Sequence, residues 1–457
     1  MAKIDIEMLS AAVNGETLTR DDPGYEEACA VWNARATGRP AVVVRCQSAV
    51  DVQAVVDLAA REGLLLSVKG GGHAYAANTV AQGGLLIDLT PLKEVTVDVE
   101  RQTARVGAGV KWRGLDEATQ AHGLATTGAT VSTVGVSGFT LGGGTGYLVR
   151  RHGLAIDNLL SAEVVTADGR IVRASTDENE DLFWAIRGGG GNFGVVTNFQ
   201  FQLHEVGPRV LAGQIMHHFE DAGELLRIYR DYMVNAPETV QVYPFILRVP
   251  PIDDFPEALH GKLALDFVVF HLDPDGEVDL RPLTEAGEPF FSFVGPQPYT
   301  EVQQSFDAGL PAGQRYASRA HYLDNLSDAA IETITTHAPD LVGPFSVAYL
   351  EPLGGAAGRV EPTATAFPHR DADHGFHILA GWSEPEQDEE VQAWADRFHK
   401  AMAFHATGGV YVNLLGQGEA QRVTDAYGDN YQRLAELKAK WDPHNLFKVN
   451  HNIQPAT

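Results

Sequence analysis

The feature that most restricts the fold of this chain is a set of three glycine clusters in its first half. The first lies in Ser67-Val-Lys-Gly-Gly-Gly-His-Ala-Tyr75, directly after the apolar run Leu64–Leu66, which predicts the end of a buried strand. Glycine tolerates positive φ and allows backbone N–H groups to approach an anion closely. The pattern is compatible with a phosphate-binding turn that carries a reactive histidine, and also with a plain glycine turn beside a hydrogen-bonded histidine.

The second cluster spans residues 128–146, where GATVSTVGVSGFTLGGGTG holds seven glycines. Flexible Gly/Ser linkers seldom contain apolar side chains. Here four are interspersed: Val134, Val136, Phe139 and Leu141. The composition therefore favours backbone that wraps closely around a ligand.

The third cluster, Gly188–Gly194, matches GxGxxG at Gly189, Gly191 and Gly194. A predicted helix precedes it and a predicted strand, residues 195–199, follows it. The dinucleotide fingerprint of the Rossmann fold requires the opposite order, strand then turn then helix. The order of elements therefore argues against a nicotinamide cofactor.

The remaining pattern predicts alternating helices and strands. Ser48 can cap a helix that Gly63 ends, and apolar runs on both sides predict a βαβ-type unit that leads into the first glycine cluster. From about residue 205 the glycine clusters stop. Further predicted elements are antiparallel strands at 263–271 and 345–350, helices at 221–234 and 390–405, a strand at 408–414 and a helix at 430–441.

Composition narrows the functional class. The chain has 457 residues, which predicts two domains, and its 34 basic and 60 acidic residues give a net charge of −26. This charge argues against binding to nucleic acid or to an anionic membrane. Cys29 and Cys46 form no disulfide framework, and no apolar run is long enough for a membrane span. We expect a cytoplasmic protein, and no motif predicts a metal site.

Three further features complete a recognisable set: the histidine after the first cluster, Tyr411-Val-Asn413, and the late segment Trp441-Asp-Pro-His-Asn-Leu-Phe447. With them the chain resembles FAD-linked oxidoreductases of the para-cresol methylhydroxylase and vanillyl-alcohol oxidase superfamily, in the berberine bridge enzyme-like branch. The resemblance extends over nearly the whole length. It is strong in 40–205 and 405–453 and weak between them.

The resemblance implies an α+β fold, in which a two-subdomain FAD-binding domain of the para-cresol methylhydroxylase (PCMH) type carries an inserted substrate domain of antiparallel β-sheet covered by helices. We expect residues 1–205 to form the two α+β subdomains of the FAD-binding domain and residues 206–407 to form the substrate-binding domain. Residues 408–457 would then complete the FAD-binding domain.

The same resemblance implies covalent attachment of FAD through His73, beside glycines that hold the pyrophosphate. The residues that it places at the cofactor are Val68, Lys69, Gly70, Gly71, Gly72, His73, Tyr75, Thr130, Ser132, Thr133, Val134, Gly135, Gly138, Gly142, Gly143, Gly146, Asn192, Gly194, Val196, Tyr411, Asn413, Asn450 and Asn452.

One departure from the family pattern concerns a second covalent bond. Many members attach the flavin also through a cysteine before a TVGV-like sequence, but Val131 stands at that position here. We therefore expect a monocovalent FAD linked through His73 alone. Val134 falls where members of the branch control oxygen access, and a small valine there is more similar to the oxidases than to the dehydrogenases.

Oxidation of an alcohol or amine carbon also requires a base that removes a proton from O–H or N–H. The candidates for catalytic residues are Tyr349, Glu351, Tyr411 and Asn413. Glu351 can equally be a surface carboxylate at a strand end, and both tyrosines can be core residues. Leu414 follows Asn413 where some relatives have a second tyrosine, which weakens a mechanism that uses a tyrosine pair.

The predicted function is an FAD-dependent oxidase that transfers hydride from an alcohol or amine C–H of a small molecule to flavin N5, with O2 as electron acceptor. The alternatives are a flavin dehydrogenase or an oxidative cyclase of secondary metabolism that uses O2 poorly, and a flavin-storing protein without turnover. We expect a small-molecule substrate and O2 as partners and a monomer or homodimer. Sugars, alkaloids, polyketide alcohols and secondary amines all stay open as substrates.

Overall fold

The computed structural model describes residues 4–77, 79–251 and 255–457. The first sheet has four strands, and its strand β3 leads directly into the first glycine cluster. The strands are ordered β1-β2-β4-β3, with β1 antiparallel and the other three parallel. The elements are α1 (Ile6–Ala12), β1 (Glu16–Leu18), α2 (Tyr25–Cys29), β2 (Val42–Arg45), α3 (Ala49–Glu62), β3 (Leu66–Lys69) and β4 (Leu85–Asp88). Ser48 caps α3, and Gly63 in the left-handed region ends it, as predicted. The strand predicted at Leu64–Leu66 begins only at Leu66.

The second sheet carries the other two glycine clusters in its connections. Its five antiparallel strands are ordered β5-β6-β10-β8-β9. They are β5 (Val95–Asp98), β6 (Thr103–Gly107), β8 (Leu159–Val165), β9 (Ile171–Ser175) and β10 (Val195–Gln202). The connections hold α4 (Trp112–Gln120), α5 (Val136–Leu141), α6 (Val149–His152) and α7 (Glu180–Ile186), and β7 (Leu124–Ala125) pairs with β11 (His204–Glu205).

The third sheet has seven antiparallel strands in the order β15-β12-β14-β13-β17-β18-β16. Its strands are β12 (Arg209–His218), β13 (Val240–Arg248), β14 (Leu263–His271), β15 (Phe291–Pro298), β16 (Arg315–Leu323), β17 (Val347–Pro352) and β18 (His374–Trp382). Its helices are α8 (Ala222–Met233), α9 (Glu277–Thr284), α10 (Tyr299–Val302), α11 (Asp328–His337), α12 (Gly355–Gly358) and α13 (Asp388–Met402).

The two faces of the third sheet have different surroundings because side chains alternate along each strand. One face packs Leu265, Phe267 and Val269 of β14 against apolar residues of α8, α9, α11 and α13. The opposite face, which carries Asp266 and Val268, points away from these helices. The fold is therefore the predicted α+β arrangement, with helices on one side of an antiparallel sheet. No helix within the described ranges is long and apolar enough to cross a bilayer.

The C-terminal segment returns to the glycine clusters. It contains α14 (Val423–Tyr427) and α15 (Tyr431–Trp441). The strand predicted at 408–414 is wrong, because this stretch is irregular and ends in a single 3-10 turn, Val412–Leu414. The N–H groups of Leu414 and Leu415 bond to carbonyls three residues earlier rather than to a neighbouring strand. Val410 and Val412 are buried, which gives the segment the composition of a strand, but its backbone contacts with β16 are limited to a few bonds such as that from Tyr322 N–H to Gly409 O.

A fully buried ammonium group attaches α15 to the third glycine cluster. Lys438 Nζ donates hydrogen bonds to Asn192 O at 2.7 Å, Phe447 O at 2.9 Å and Asp442 Oδ2 at 2.7 Å. The side chains of Lys438 and Asp442 are both inaccessible to solvent. A buried charge without its partner is costly. Removal of either Lys438 or Asp442 alone is therefore expected to destabilise the fold.

We expect Lys438→Met to lower the free energy of unfolding by about 3–5 kcal/mol, because it leaves the Asp442 carboxylate buried without a countercharge. The control is Lys440→Met, which removes the more exposed pair between Lys440 and Asp181 and should cost less than about 1 kcal/mol. Urea unfolding at pH 7 measures both changes. Equal losses for the two variants would contradict a special role for Lys438.

Candidate active site

A cavity of about 1100 Å³ lies between the glycine clusters and the face of the seven-stranded sheet opposite α8, α9, α11 and α13. All three clusters contribute to its wall, together with segments 411–414 and 447–451 of the C-terminal part. Residues from β12, β13, β14 and β17 form the opposite wall. The cavity thus collects segments from the whole length of the chain.

The first and second glycine clusters are in direct backbone contact. A Cβ atom on Gly71 would lie 2.4 Å from the Cα of Gly135, and one on Gly70 would lie 2.1 Å from Ser137 Oγ. Gly72 has φ +68°, in the left-handed region. Side chains at Gly70 and Gly71 would therefore push the two loops apart, which explains why these positions hold glycine.

This close packing leaves a row of hydrogen-bond donors at the cavity. In the described part of the chain, none of the backbone N–H groups of residues 70–74 donates to a protein acceptor. Consecutive free N–H groups in a glycine loop form a concave site for an anion such as a pyrophosphate. Lys69 adds no free charge, because its Nζ pairs with Asp88 Oδ2 at 3.2 Å and donates to Ala28 O.

The imidazole ring of His73 is positioned by a stacking contact on its face and by a hydrogen-bonding contact at one ring nitrogen. Its ring stacks on Trp32, with centroids 4.2 Å apart, and Trp32 in turn stacks on Tyr316 at 3.7 Å. Thr133 Oγ1 lies 3.3 Å from His73 Nε2. Burial lowers the pKa of His73 to about 4, with a further contribution from the charge of Lys111. The imidazole is therefore neutral at pH 7, and Nδ1 carries a lone pair when Nε2 donates to Thr133.

The Tyr411–Asn413 turn is built into the second cluster. The hydroxyl of Tyr411 accepts hydrogen bonds from the N–H of Gly144 and from Asn413 Nδ2, both at 2.9 Å. Asn413 Nδ2 also donates to Phe139 O. Burial raises the pKa of Tyr411 well above its usual value, which keeps the phenol neutral. These bonds replace the strand pairing that the sequence pattern predicted for this segment.

The sheet wall brings Tyr349 and Glu351 to the same cavity. Both lie on β17 two residues apart, so they share a face. Glu351 Oε2 is 3.1 Å from Nε2 of His377 on β18, and both side chains are buried. Glu351 is therefore not a surface carboxylate. Burial raises the pKa of Tyr349 well above its usual value.

The structure brings all four candidate catalytic residues to the cavity wall, and most of the predicted cofactor residues lie there too. Those that do are Val68, Lys69, Gly70, Gly71, Gly72, His73, Tyr75, Thr130, Val134, Gly135, Gly138, Asn192, Gly194, Val196, Tyr411, Asn413 and Asn450. Those that do not are Ser132, Thr133, Gly142, Gly143, Gly146 and Asn452.

The residues outside the wall have other contacts. Ser132 donates through its N–H and its hydroxyl to the carboxylate of Asp307. Gly142 packs against the carboxamide of Asn413, and Gly146 packs against the carbonyl of Gly128. These residues support the loops that form the wall.

The residues present fit an FAD. The free N–H groups of the first cluster suit a pyrophosphate, and Asn450 Oδ1 and the Tyr427 hydroxyl are buried at the cavity without protein partners. Such unpaired polar atoms match the ribityl and ring polar groups of a flavin dinucleotide. Among the described residues no group of three or more His, Cys, Asp or Glu side chains could hold a metal ion.

Sequence reasoning missed Trp32, His377 and Asp266. Trp32 lies in an N-terminal segment without a motif, and its contact with Tyr316 depends on the tertiary fold. Asp266 did leave a signal, because it is a single acid in the otherwise apolar strand Leu263–His271. It is fully buried, and neither carboxylate oxygen makes a hydrogen bond within the described structure.

Two family models match this chain. One, described as FAD binding domain, covers residues 40–175, and the other, described as berberine and berberine-like, covers residues 410–454. The two matched regions include the first two glycine clusters and the Tyr411–Asn413 turn. They agree with the family predicted from the sequence.

Relatives match over nearly the full length. The chain is 30% identical to the uncharacterized FAD-linked oxidoreductase YgaK of Bacillus subtilis, over 98% of each chain, and 31% identical to (R)-6-hydroxynicotine oxidase of Paenarthrobacter nicotinovorans, over 97% of each. The crystal structure of 6-hydroxy-D-nicotine oxidase from Arthrobacter nicotinovorans superposes with a TM-score of 0.87 at 29% identity, covering 97% of this chain and 98% of the other.

A more distant structure shares the fold. Glucooligosaccharide oxidase from Acremonium strictum, described with a 6-S-cysteinyl, 8α-N1-histidyl FAD, superposes with a TM-score of 0.88 at 24% identity, over 99% of this chain and 100% of the other. At the position where the sequence pattern expects the cysteine, this chain has Val131, which lies in the cavity wall.

The buried carboxyl of Asp266 predicts a pH-dependent stability. Burial raises its pKa from 3.8 to about 7, and the nearby N–H of Ile215 offsets this only in part. A raised pKa in the folded state means that folding favours the protonated acid. The contribution of the Asp266 carboxyl to the free energy of unfolding is therefore fully present below about pH 4, and it is lost as the pH rises through 7.

We expect Asp266→Asn to be more stable than the wild type at pH 8, by on the order of 3 kcal/mol, and the difference to shrink steadily toward pH 5. Urea unfolding of both proteins at half-unit intervals from pH 5 to pH 8 measures it. A difference that does not change with pH would show that Asp266 ionises normally.

Proposed function

The chain belongs to the berberine bridge enzyme-like branch of the FAD-linked oxidoreductases, and we propose that it is an oxidase that carries FAD on His73 and oxidises an alcohol or amine carbon of a small molecule. The observation that supports this most directly is one cavity that joins three kinds of wall. These are the glycine clusters with His73, the Tyr411–Asn413 turn, and the sheet face that bears Glu351.

His73 is suited to covalent attachment by its protonation state and its orientation. A neutral imidazole offers a nucleophilic nitrogen, and the pKa near 4 keeps the ring neutral over the physiological range. The Trp32 stack fixes the ring plane, and Thr133 occupies Nε2. The attachment would therefore involve Nδ1. With Val131 in place of a cysteine, the proposed link is single.

When bound, FAD supplies the hydride acceptor and passes the electron pair to O2, which takes up two protons to give H2O2. Glu351 would accept the proton from the substrate O–H or N–H, and His377 holds the carboxylate in place. Tyr411 and Asn413 would orient the substrate or the cofactor through their shared hydrogen bonds. Val134 lies in the cavity wall, and its small side chain would leave room for O2.

We propose the same division of the chain as the sequence suggested, with the FAD-binding domain in 1–205 and 408–457 and the substrate domain in 206–407. The grouping of strands supports it, because the third sheet begins at Arg209 and its last helix, α13, ends at Met402. We also propose a cytoplasmic location, which the two buried free cysteines support.

We expect Glu351→Gln to lower the rate of substrate oxidation by about 10²- to 10³-fold, because the amide cannot accept a proton. The control, Glu361→Gln, changes an exposed carboxylate and should keep the wild-type rate. The measurement is peroxide release from a panel of alcohols and amines, combined with the FAD content of each protein. A Glu351→Gln variant with full FAD and full activity would exclude Glu351 as the base.

Reduction and reoxidation of the flavin with the same panel of alcohols and amines distinguish an oxidase from a dehydrogenase. Anaerobic reduction by a substrate followed by rapid reoxidation on admission of air, with stoichiometric H2O2, is the expected result. Reduction with slow reoxidation by air would identify a dehydrogenase. Failure of every panel compound to reduce the flavin would favour a binding protein without turnover.

A further inference from the structure

The sheet wall of the cavity carries a second acid that the proposed chemistry does not use. Asp266 lies on the central strand β14, and its side chain faces the cavity. It is fully buried, and neither of its oxygens makes a well-formed hydrogen bond in the described part of the chain, although the N–H of Ile215 is near enough to lower its pKa. A buried polar group without a partner is costly, and the position of Asp266 in the cavity wall allows a ligand to supply that partner.

A cross-strand row of side chains connects Asp266 with the proposed reacting groups. Strand register aligns, in order, Met216, Asp266, Phe245, Tyr349 and His377. Two strand spacings separate Asp266 from Tyr349, which is about 10 Å. Glu351, two residues beyond Tyr349 on the same face, bonds to His377 at the far end of the row.

The middle of the row is apolar and flat. The rings of Phe245 and Tyr349 stack with centroids 4.8 Å apart and planes at 18°. Both rings line the cavity. A ligand that reaches from Glu351 to Asp266 must therefore present a flat or apolar section to these two rings and a polar group at each end.

The described basic side chains that line the cavity offer no unbonded partner to an anionic group. Lys69 is paired with Asp88, and the guanidinium of Arg248 donates to the carbonyls of Leu341, Gly261 and Pro339. Burial lowers the pKa values of His73 and His451 to about 4, so both are neutral at pH 7. Among the described residues that line the cavity, every cationic side chain is thus already paired or hydrogen-bonded.

The side-chain amide of Gln214 provides a second hydrogen-bond acceptor near Asp266. Gln214 lies two residues before Met216 on β12 and also lines the cavity. Its carboxamide is half-buried and makes no hydrogen bond to protein within the described structure. An unpaired carboxylate and an unpaired amide oxygen on neighbouring strands together match a group that donates several hydrogen bonds and carries positive charge.

We propose that Asp266, assisted by Gln214, forms a subsite for a basic amine at the end of the substrate remote from the carbon that is oxidised. This inference rests on the proposed function for the position of the reacting end. It narrows the substrate class to amine-bearing molecules with an apolar or aromatic middle. Anionic substrates and neutral polyols lack the group that pairs with Asp266.

The test measures binding rather than turnover. Two probes that share one carbon frame, 3-phenylpropylamine and 3-phenylpropan-1-ol, are titrated by calorimetry at pH 8 into the anaerobic, FAD-loaded protein. We expect the wild type to bind the amine at least about tenfold more tightly than the alcohol. Asp266→Asn should weaken amine binding about tenfold and leave alcohol binding within about twofold.

Two further variants separate the subsite from other effects. Asp275→Asn removes one negative charge from an exposed loop and should leave the amine preference intact, which controls for the net charge of the protein. Asp266→Val, a strand-favouring residue, replaces Asp266→Asn if the latter retains no FAD or loses its circular dichroism spectrum. It should lose the amine preference to the same extent.

Equal affinity of the wild type for both probes, or no binding of the amine, would overturn the proposal. An amine preference that survives Asp266→Asn or is lost equally in Asp275→Asn would also overturn it. Peroxide release is measured in parallel. If the protein binds the amine through Asp266 but releases no peroxide with any panel compound, the amine subsite is supported and the proposed oxidase activity is contradicted.

Discussion

The contact between two glycine-rich loops is the constraint on which the rest of the site depends. Gly71 and Gly135 approach so closely that a Cβ on Gly71 would lie 2.4 Å from the Cα of Gly135. Only glycine permits this distance, and the N–H groups of residues 70–74, which line the cavity, have no acceptor among the described residues. The anion site and the position of His73 both follow from this one contact, because His73 continues directly from the loop.

The second requirement is a wall that faces these loops. The seven-stranded sheet provides it because α8, α9, α11 and α13 cover one face, which leaves room on the other face for the cavity. Trp32 connects the two parts. Its N–H donates to Gly72 O, its Nε1 donates to Leu310 O, and its ring lies between His73 and Tyr316. The residue that orients the proposed anchor thus also fixes the sheet relative to the glycine loop.

Local patterns made much of this predictable from the sequence. Ser48 and Gly63 correctly bounded α3, and the apolar run at 263–271 coincides with β14. The strand predicted at 408–414 is wrong because side-chain bonds of Tyr411 and Asn413 hold this segment and it forms no regular ladder with a neighbouring strand, which no local sequence pattern shows. Trp32 and His377 escaped notice because their contacts join distant parts of the sequence. The roles assigned to the site residues remain predictions.

The most direct test of the central claim is to locate the flavin on the chain. The purified protein is precipitated with acid and washed, and its peptides are mapped by mass spectrometry, with His73→Ala as the control. We expect a yellow wild-type pellet with an FAD adduct on the peptide that contains His73 and on no other, and a colourless His73→Ala pellet. A colourless wild-type pellet, or an adduct on any other peptide, would contradict it.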